Sequence, residues 1–195
     1  ELKLAADFYR ARIKEINSEI SKLDKKNSTL QQSLTNVNQQ LYELNAKNEQ
    51  TVWHLISSYG IVLLFVLGAW VIWRSYGVRH TLRYAMVVVL TWLLNTAAKY
   101  FINRPRPFEA GHAQATAELL VQTPSFPSGH AAAAFAIAFF VYLHNRRAGV
   151  LLMILAALVA EARVQVGVHY VSDVVAGAIL GIVVSLLAHQ LTRKL

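Results

Sequence analysis

Apolar and polar positions follow two regimes along this chain. Over residues 1–50 the apolar residues recur at alternating steps of three and four. They are Tyr9, Ile13, Ile16, Ile20, Leu23, Leu30, Leu34, Val37, Leu41 and Leu44, with Asn27 and Asn48 on the same seam. Steps of three and four are a heptad repeat, and no Gly precedes Gly60 and no Pro precedes Pro105 to interrupt it. The pattern predicts a coiled-coil helix about 75 Å long at about 1.5 Å per residue. The other arrangement it allows is a helical hairpin turning at Lys25-Lys26-Asn27-Ser28. An Asn within the seam costs stability but fixes register and two-strandedness. The segment carries no chemical motif, so it reads as an oligomerisation stalk giving a homo-oligomer, or as a fused segment.

From Trp53 onward the pattern changes to long apolar runs. Five are long enough to span or nearly span a bilayer: about Trp53 to Trp73, Tyr84 to Ile102, Gly129 to Leu143, Ala148 to Val168 and Val171 to Ala188. Trp and Tyr near the ends of the first suit the membrane interface. Gly177 and Gly181 give the fifth a small-residue face for close helix packing. The fold class expected is all-α: an integral membrane bundle of about five transmembrane helices (residues 51–195) preceded by a long coiled-coil helix (residues 1–50).

Composition agrees. The chain is 55% hydrophobic with mean hydropathy +0.36, too apolar for an ordinary water-soluble domain of 195 residues. Without cysteine there is no disulfide framework and no thiolate metal site. The net charge of +8 is unevenly placed: residues 1–50 hold 8 basic and 7 acidic residues, residues 51–195 hold 11 and 4. Basic residues flanking apolar runs indicate membrane lipids as partners, not nucleic acid. No signal peptide is visible, and the opening Glu1 is what a trimmed chain would show.

The loops set orientation. Arg74, Arg79 and Arg83, then Arg146 and Arg147, then Arg193 and Lys194 share one side with no acidic residue among them. By the positive-inside rule that side is cytoplasmic. Lys99, Arg104, Arg106, Pro127 to His130 and Arg163 to Asp173 then face out. The expected location is a bacterial inner (cell) membrane, with the site on the periplasmic or outer face.

Candidate chemistry gathers on that outer side. Ser128-Gly129-His130 opens an apolar segment, where free N–H groups and the helix dipole favour an anion. Such a stretch is also an ordinary cap and turn. Lys99, Arg104 and Arg106 either snorkel to headgroups or clamp a phosphate, with Pro105 and Pro107 fixing the chain between them. Asp173 follows His169 by four, one helical turn, so its carboxylate can hold an imidazole nitrogen; a plain surface pair has the same spacing. Together, three segments bring Lys99, Arg106, Arg163, Ser128, Gly129, His130, His169 and Asp173 to one membrane face. Cations that neutralise phosphoryl oxygens, one histidine that attacks and one that protonates the leaving oxygen suit phosphoryl transfer. No carboxylate cluster suited to Mg²⁺ is evident. In the loop from Arg104 to Phe126, residues Ala113 to Val121 suggest a short surface helix. There Glu109, His112 and Glu118 are headgroup contacts or solvated loop residues.

Lys99–Arg106-Pro107, Pro127-Ser128-Gly129-His130 and Arg163–His169–Asp173 resemble, in order, the three signatures of the type 2 phosphatidic acid phosphatase family, relatives of the vanadium haloperoxidases. The resemblance runs from about Trp53 to the C-terminus. It implies a helical membrane bundle and dephosphorylation of lipid phosphates or diphosphates through a phosphohistidine, with no metal or other cofactor. It implies His169 as nucleophile, Asp173 as its orienting partner and His130 as general acid, with Lys99, Arg106, Arg163, Ser128 and Gly129 binding phosphate. There are two departures. Ala162 replaces the usual serine before Arg163, removing one hydrogen bond to phosphate, and five spans are counted where members often have six.

The substrate the resemblance favours is undecaprenyl diphosphate, because compact bacterial members share Arg-Pro-Arg-Pro-Phe before Phe-Pro-Ser-Gly-His. Phosphatidylglycerol phosphate, phosphatidic acid and lipid A phosphate are the alternatives. A metal-dependent membrane hydrolase with His130, His169 and Asp173 as ligands is a second reading, opposed by the neighbouring cations. A membrane scaffold working through its coil is a third.

Overall fold

The structure is a computed structural model describing residues 2–111 and 123–192. The short helix expected over Ala113 to Val121, and with it His112 and Glu118, lies outside the described residues. Those described form four helices and no strand: α1 (Leu2–Ile102), α2 (Gly129–His144), α3 (Arg146–Gln165) and α4 (Val171–Thr192). They divide into two compact units, residues 1–49 and 50–195.

In the first unit the heptad seam is uncovered: Ile16, its least exposed large residue, is still 44% exposed. Residues 25–28 are helical, with the hydroxyls of Ser28 and Thr29 donating to the Lys25 carbonyl at 2.8 and 3.0 Å, so no hairpin forms there.

The second unit is a helical bundle whose first reversal lies inside α1. Gly77 has φ 76° and ψ −176°, a conformation that only glycine adopts without strain. On an unbroken helix Phe65 and Tyr84 would stand about 28 Å apart. Instead the Tyr84 hydroxyl donates to the Phe65 carbonyl at 2.8 Å and their rings lie 5.6 Å apart. The chain therefore folds back, and the limbs 50–76 and 78–102 pack side by side. Gly68 permits the contact, because a Cβ there would stand 2.7 Å from the Tyr84 hydroxyl. Counting α1 as two limbs gives the five apolar segments that the sequence predicts. α1, α3 and α4 are each long and apolar enough to cross a membrane; α2 is apolar but shorter, at 16 residues.

α2 is the central helix. Its Ala131, Ala132, Ala134, Ala136 and Ala138 are fully buried, and it packs against both α3 and α4. Small side chains let the backbones close up. A Cβ at Gly177 would strike the Ser128 carbonyl and one at Gly181 the Ala132 carbonyl. Lower down, the Ser185 hydroxyl donates to the Ala136 carbonyl at 2.8 Å. The outward faces are apolar, with Trp70, Leu151 and Ile179 more than half exposed. A surface of that kind suits lipid, where helices satisfy their own backbone groups.

The fourth segment ends earlier than its apolar run suggests. α3 stops at Gln165, and Gly167, with φ 74°, turns the chain. Val166 to Tyr170 become a connecting loop, so His169 sits just before α4 and not on a helix shared with Asp173.

Candidate active site

Three local structures meet at one end of the bundle. The first is the loop after α1. Arg106 is only 2% exposed, held by Nε to the Thr123 carbonyl at 2.8 Å, Nη1 to the Val168 carbonyl at 2.9 Å and Nη2 to the Thr123 hydroxyl at 3.1 Å. The Lys99 ammonium donates to the Pro124 carbonyl. Glu109 takes the Arg106 backbone N–H at 2.8 Å, which gives that carboxylate a local structural role.

The second is the start of α2. Ser128 is its N-cap, with a side chain that accepts from Ala131 N at 3.5 Å. Gly129 and His130 form the first turn, where N–H groups lack intrahelical partners. His130 lines a cavity of about 510 Å³ together with Asn95, Lys99 and Gly129.

The third is the α3–α4 connection. Arg163, 4% exposed, donates to the Ser57 hydroxyl on the first limb of α1. The His169 N–H donates to the Arg163 carbonyl at 3.2 Å. Asp173 is fully buried in the first turn of α4, and its Oδ2 accepts from Tyr170 N at 2.9 Å, as an acidic residue at the third helical position does when it caps. That same Oδ2 faces His169 Nδ1 at 3.5 Å. The spacing of four therefore works through a helix cap, not through one helix face.

Asp173 joins the pieces. Its carbonyl accepts from Ser128 N at 2.9 Å, and its Oδ1 accepts from Arg104 Nη1 at 2.7 Å. All eight residues singled out in the sequence converge here: Arg106, Arg163 and Lys99 lie within electrostatic reach of both His169 and His130. Burial lowers the His169 pKa to about 4. Arg163, Arg106 and Lys99 push the same way, against the opposing effect of Asp173. At neutral pH the ring is therefore uncharged, and with Nδ1 toward Asp173 its Nε2 lone pair is available. The chemistry this supports is attack by a neutral imidazole on a phosphoryl group whose charge is met by cations. Among the described residues no three His, Asp or Glu side chains are grouped to hold a metal ion.

Sequence reasoning missed two residues and the partner of a third. Arg104 was visible beside Arg106, but its partner stands 69 positions away. Ser57 is separated from Arg163 by 106 positions and had no local signal. It places a hydroxyl at the guanidinium next to Ala162, where the usual serine is absent. Asn95 lies one helical turn before Lys99 and is 3% exposed.

A family model described as the PAP2 superfamily matches residues 80–195. The chain is 41% identical over 71 residues to the bacitracin transport permease protein BcrC of Bacillus licheniformis, covering 36% of this chain and 35% of that one. It is 30% identical over 134 residues to the undecaprenyl-diphosphatase BcrC of Bacillus subtilis, covering 68% and 69%. It therefore spans about a third of the first relative's length and just over two thirds of the second's. Among solved structures it resembles a transmembrane PAP2-type phosphatidylglycerolphosphate phosphatase from Bacillus subtilis, with TM-score 0.57 and 27% identity, covering 75% of this chain and 77% of that one.

Proposed function

This chain belongs to the PAP2 superfamily, and from that premise we propose that it is a membrane-embedded phosphate ester hydrolase that removes the terminal phosphate of undecaprenyl diphosphate. The observation that carries the reading is the neutral, buried His169 ringed by Arg106, Arg163 and Lys99. The undecaprenyl-diphosphatase named among its relatives supports the substrate.

In the mechanism, Nε2 of His169 attacks the terminal phosphorus. The N–P bond forms as the P–O bond to the lipid phosphate breaks, and the electron pair leaves on that oxygen. His130, on the leaving side in this reading, takes up a proton with the anionic substrate and passes it to the leaving oxygen when that oxygen needs one. Water then cleaves the phosphohistidine, releasing inorganic phosphate and restoring the imidazole. Lys99, Arg106, Arg163, the Ser128 hydroxyl and the Gly129 N–H hold the phosphoryl oxygens.

Phosphate release from purified protein, measured with chelator over undecaprenyl diphosphate, phosphatidylglycerol phosphate, phosphatidic acid and lipid A phosphate, tests this. Undecaprenyl diphosphate should be turned over fastest. The structural resemblance to a phosphatidylglycerolphosphate phosphatase makes that lipid the second candidate, and a preference for it would replace the first reading. Rapid alkaline quench with labelled substrate tests the intermediate: label belongs on His169, and label on His130 reverses the assignment.

The basic loops support an orientation with this site on the outer face of the cell membrane. The exposed heptad seam of residues 1–50 is a surface for pairing with another copy through a coiled coil.

A further inference from the structure

We propose that the groove between the second limb of α1 and α4 holds one anionic phospholipid, in the leaflet at the end of the bundle away from the candidate active site. The inference is independent of which lipid that site hydrolyses.

The groove has a volume of about 460 Å³. Val87, Phe140 and Val184 form its buried floor, whereas Met86, Leu187 and Leu191 on its rims are more than half exposed. Helical spacing puts Arg83, Val87, Leu90 and Leu94 on one face of the limb. Trp92, Thr96 and Lys99, which line the cavity beside His130, fall on the opposite face. The groove is therefore a separate place from the candidate site. From Arg83 to Leu94 the limb rises about 16 Å at about 1.5 Å per residue. One leaflet supplies about 15 Å of a hydrocarbon core about 30 Å thick, so a single acyl chain matches the groove in length.

The chemistry at the groove's end selects the headgroup. Among the described residues Arg83 is the one charged residue on its wall, half-buried shortly after the reversal at Gly77. His144 ends α2 within electrostatic reach of Arg83. Its ring lies 5.7 Å from that of His80 on the limb and 5.3 Å from that of His189 on α4. No carboxylate balances this cluster. From residue 51 onward the described acidic side chains are Glu109, Glu161 and Asp173, all toward the site end. A headgroup phosphate meets the Arg83 guanidinium in a charge-assisted pairing. A zwitterionic headgroup brings an ammonium as well, and this end of the groove has no acidic partner for it.

Two plainer accounts of the same residues make different demands. A bare snorkelling arginine would take any headgroup. A generally basic face would gather anionic lipid through Arg146 and Arg147 as much as through Arg83. Arg147 is exposed at the start of α3, and no residue of α3 lines the groove, so the two arginines can be compared.

The test is native mass spectrometry of the full chain in detergent micelles, titrated with phosphatidylglycerol and with phosphatidylcholine of the same acyl chains. The wild-type chain should retain one phosphatidylglycerol about fivefold or more tightly than phosphatidylcholine, the effect of one cation on an anionic headgroup. Arg83→Gln should remove that preference and leave phosphatidylcholine binding unchanged. Arg83→Lys, which keeps the charge, should retain most of it. Arg147→Gln and Lys99→Gln should each retain it fully. Equal affinity of the wild type for both lipids, or a preference that survives Arg83→Gln, overturns the proposal. So does an equal loss in Arg147→Gln, which would assign the preference to the basic face, and so does a loss in Lys99→Gln, which would put the lipid in the candidate active site. A dimer that excludes lipid also overturns it and gives the groove to a second copy of the chain.

Discussion

Arg104 Nη1 lies 2.7 Å from Oδ1 of Asp173, and the same guanidinium covers the Tyr170 ring at 3.9 Å. The arginine is 35% exposed and the aspartate fully buried. Arg104 thus supports the carboxylate that faces His169. Arg104→Ala should lower kcat by about 10-fold or more, because a hydrogen bond to a charged partner contributes about 1.5–3 kcal/mol, and should leave KM nearly unchanged. Arg104→Lys keeps the charge but not the stacking, and should be intermediate. Steady-state kinetics on both variants checks this; a rise in KM alone would make Arg104 a substrate contact.

The depressed pKa of His169 sets an acid limit. Its ring is neutral above about 4, against an ordinary value of 6.5. The His169-dependent fall in kcat/KM should therefore appear only as pH drops toward about 4. Because the unfolded ring binds its proton below 6.5 and the folded ring only near 4, this group lowers stability as pH falls through that window. Asp173 raises the His169 pKa, so Asp173→Asn should shift the acid limb to lower pH and reduce kcat. A pH–rate profile of the two proteins decides it, and a limb near 6.5 in the wild type would contradict the buried neutral ring.

The cationic clamp should be costly to break. Arg163→Ala and Arg106→Ala should each reduce turnover by about 10²-fold or more. Arg106→Lys should recover little, because an ammonium cannot reach the Thr123 and Val168 acceptors together. Ser57→Ala, which removes the hydroxyl partner of Arg163, should have a smaller effect in the same direction. Phosphate release assays measure all four, and near-normal turnover in Arg163→Ala would take that residue out of the site.

Orientation can be read with single cysteines, since the chain has none of its own. Ala110→Cys lies beside the site and Ser75→Cys in the basic reversal, both at exposed positions. An impermeant thiol reagent applied to intact cells, with any outer membrane permeabilised, should label position 110 and spare position 75. The opposite pattern would turn the site toward the cytoplasm.

What the sequence made legible was local. The cap at Ser128, the break enforced by Pro105 and Pro107, and the pairing of His169 with Asp173 each lie within a few residues, and the apolar runs marked the bundle. The relationships it hid span long separations. Nothing near Ser57 announces Arg163, and nothing near Arg104 announces Asp173. The reversal at Gly77 was inferred from basic residues around it, yet the residue that makes it is a glycine in a run that otherwise reads as helix. The fourth span was drawn too long because Val164, Val166 and Val168 are as apolar as the helix before them; only the positive φ at Gly167 separates helix from loop.

Gly177 and Gly181 carry a consequence beyond close packing. α4 brings Asp173 to the site, α2 brings His130, and these glycines let α4 lie directly on the α2 backbone. They set how closely α4 approaches the start of α2. A methyl group added at 177 would press on the Ser128 carbonyl and wedge α2, with His130, away from α4. The aperture of the reaction is thus calibrated from underneath, by two missing side chains in the seam between helices.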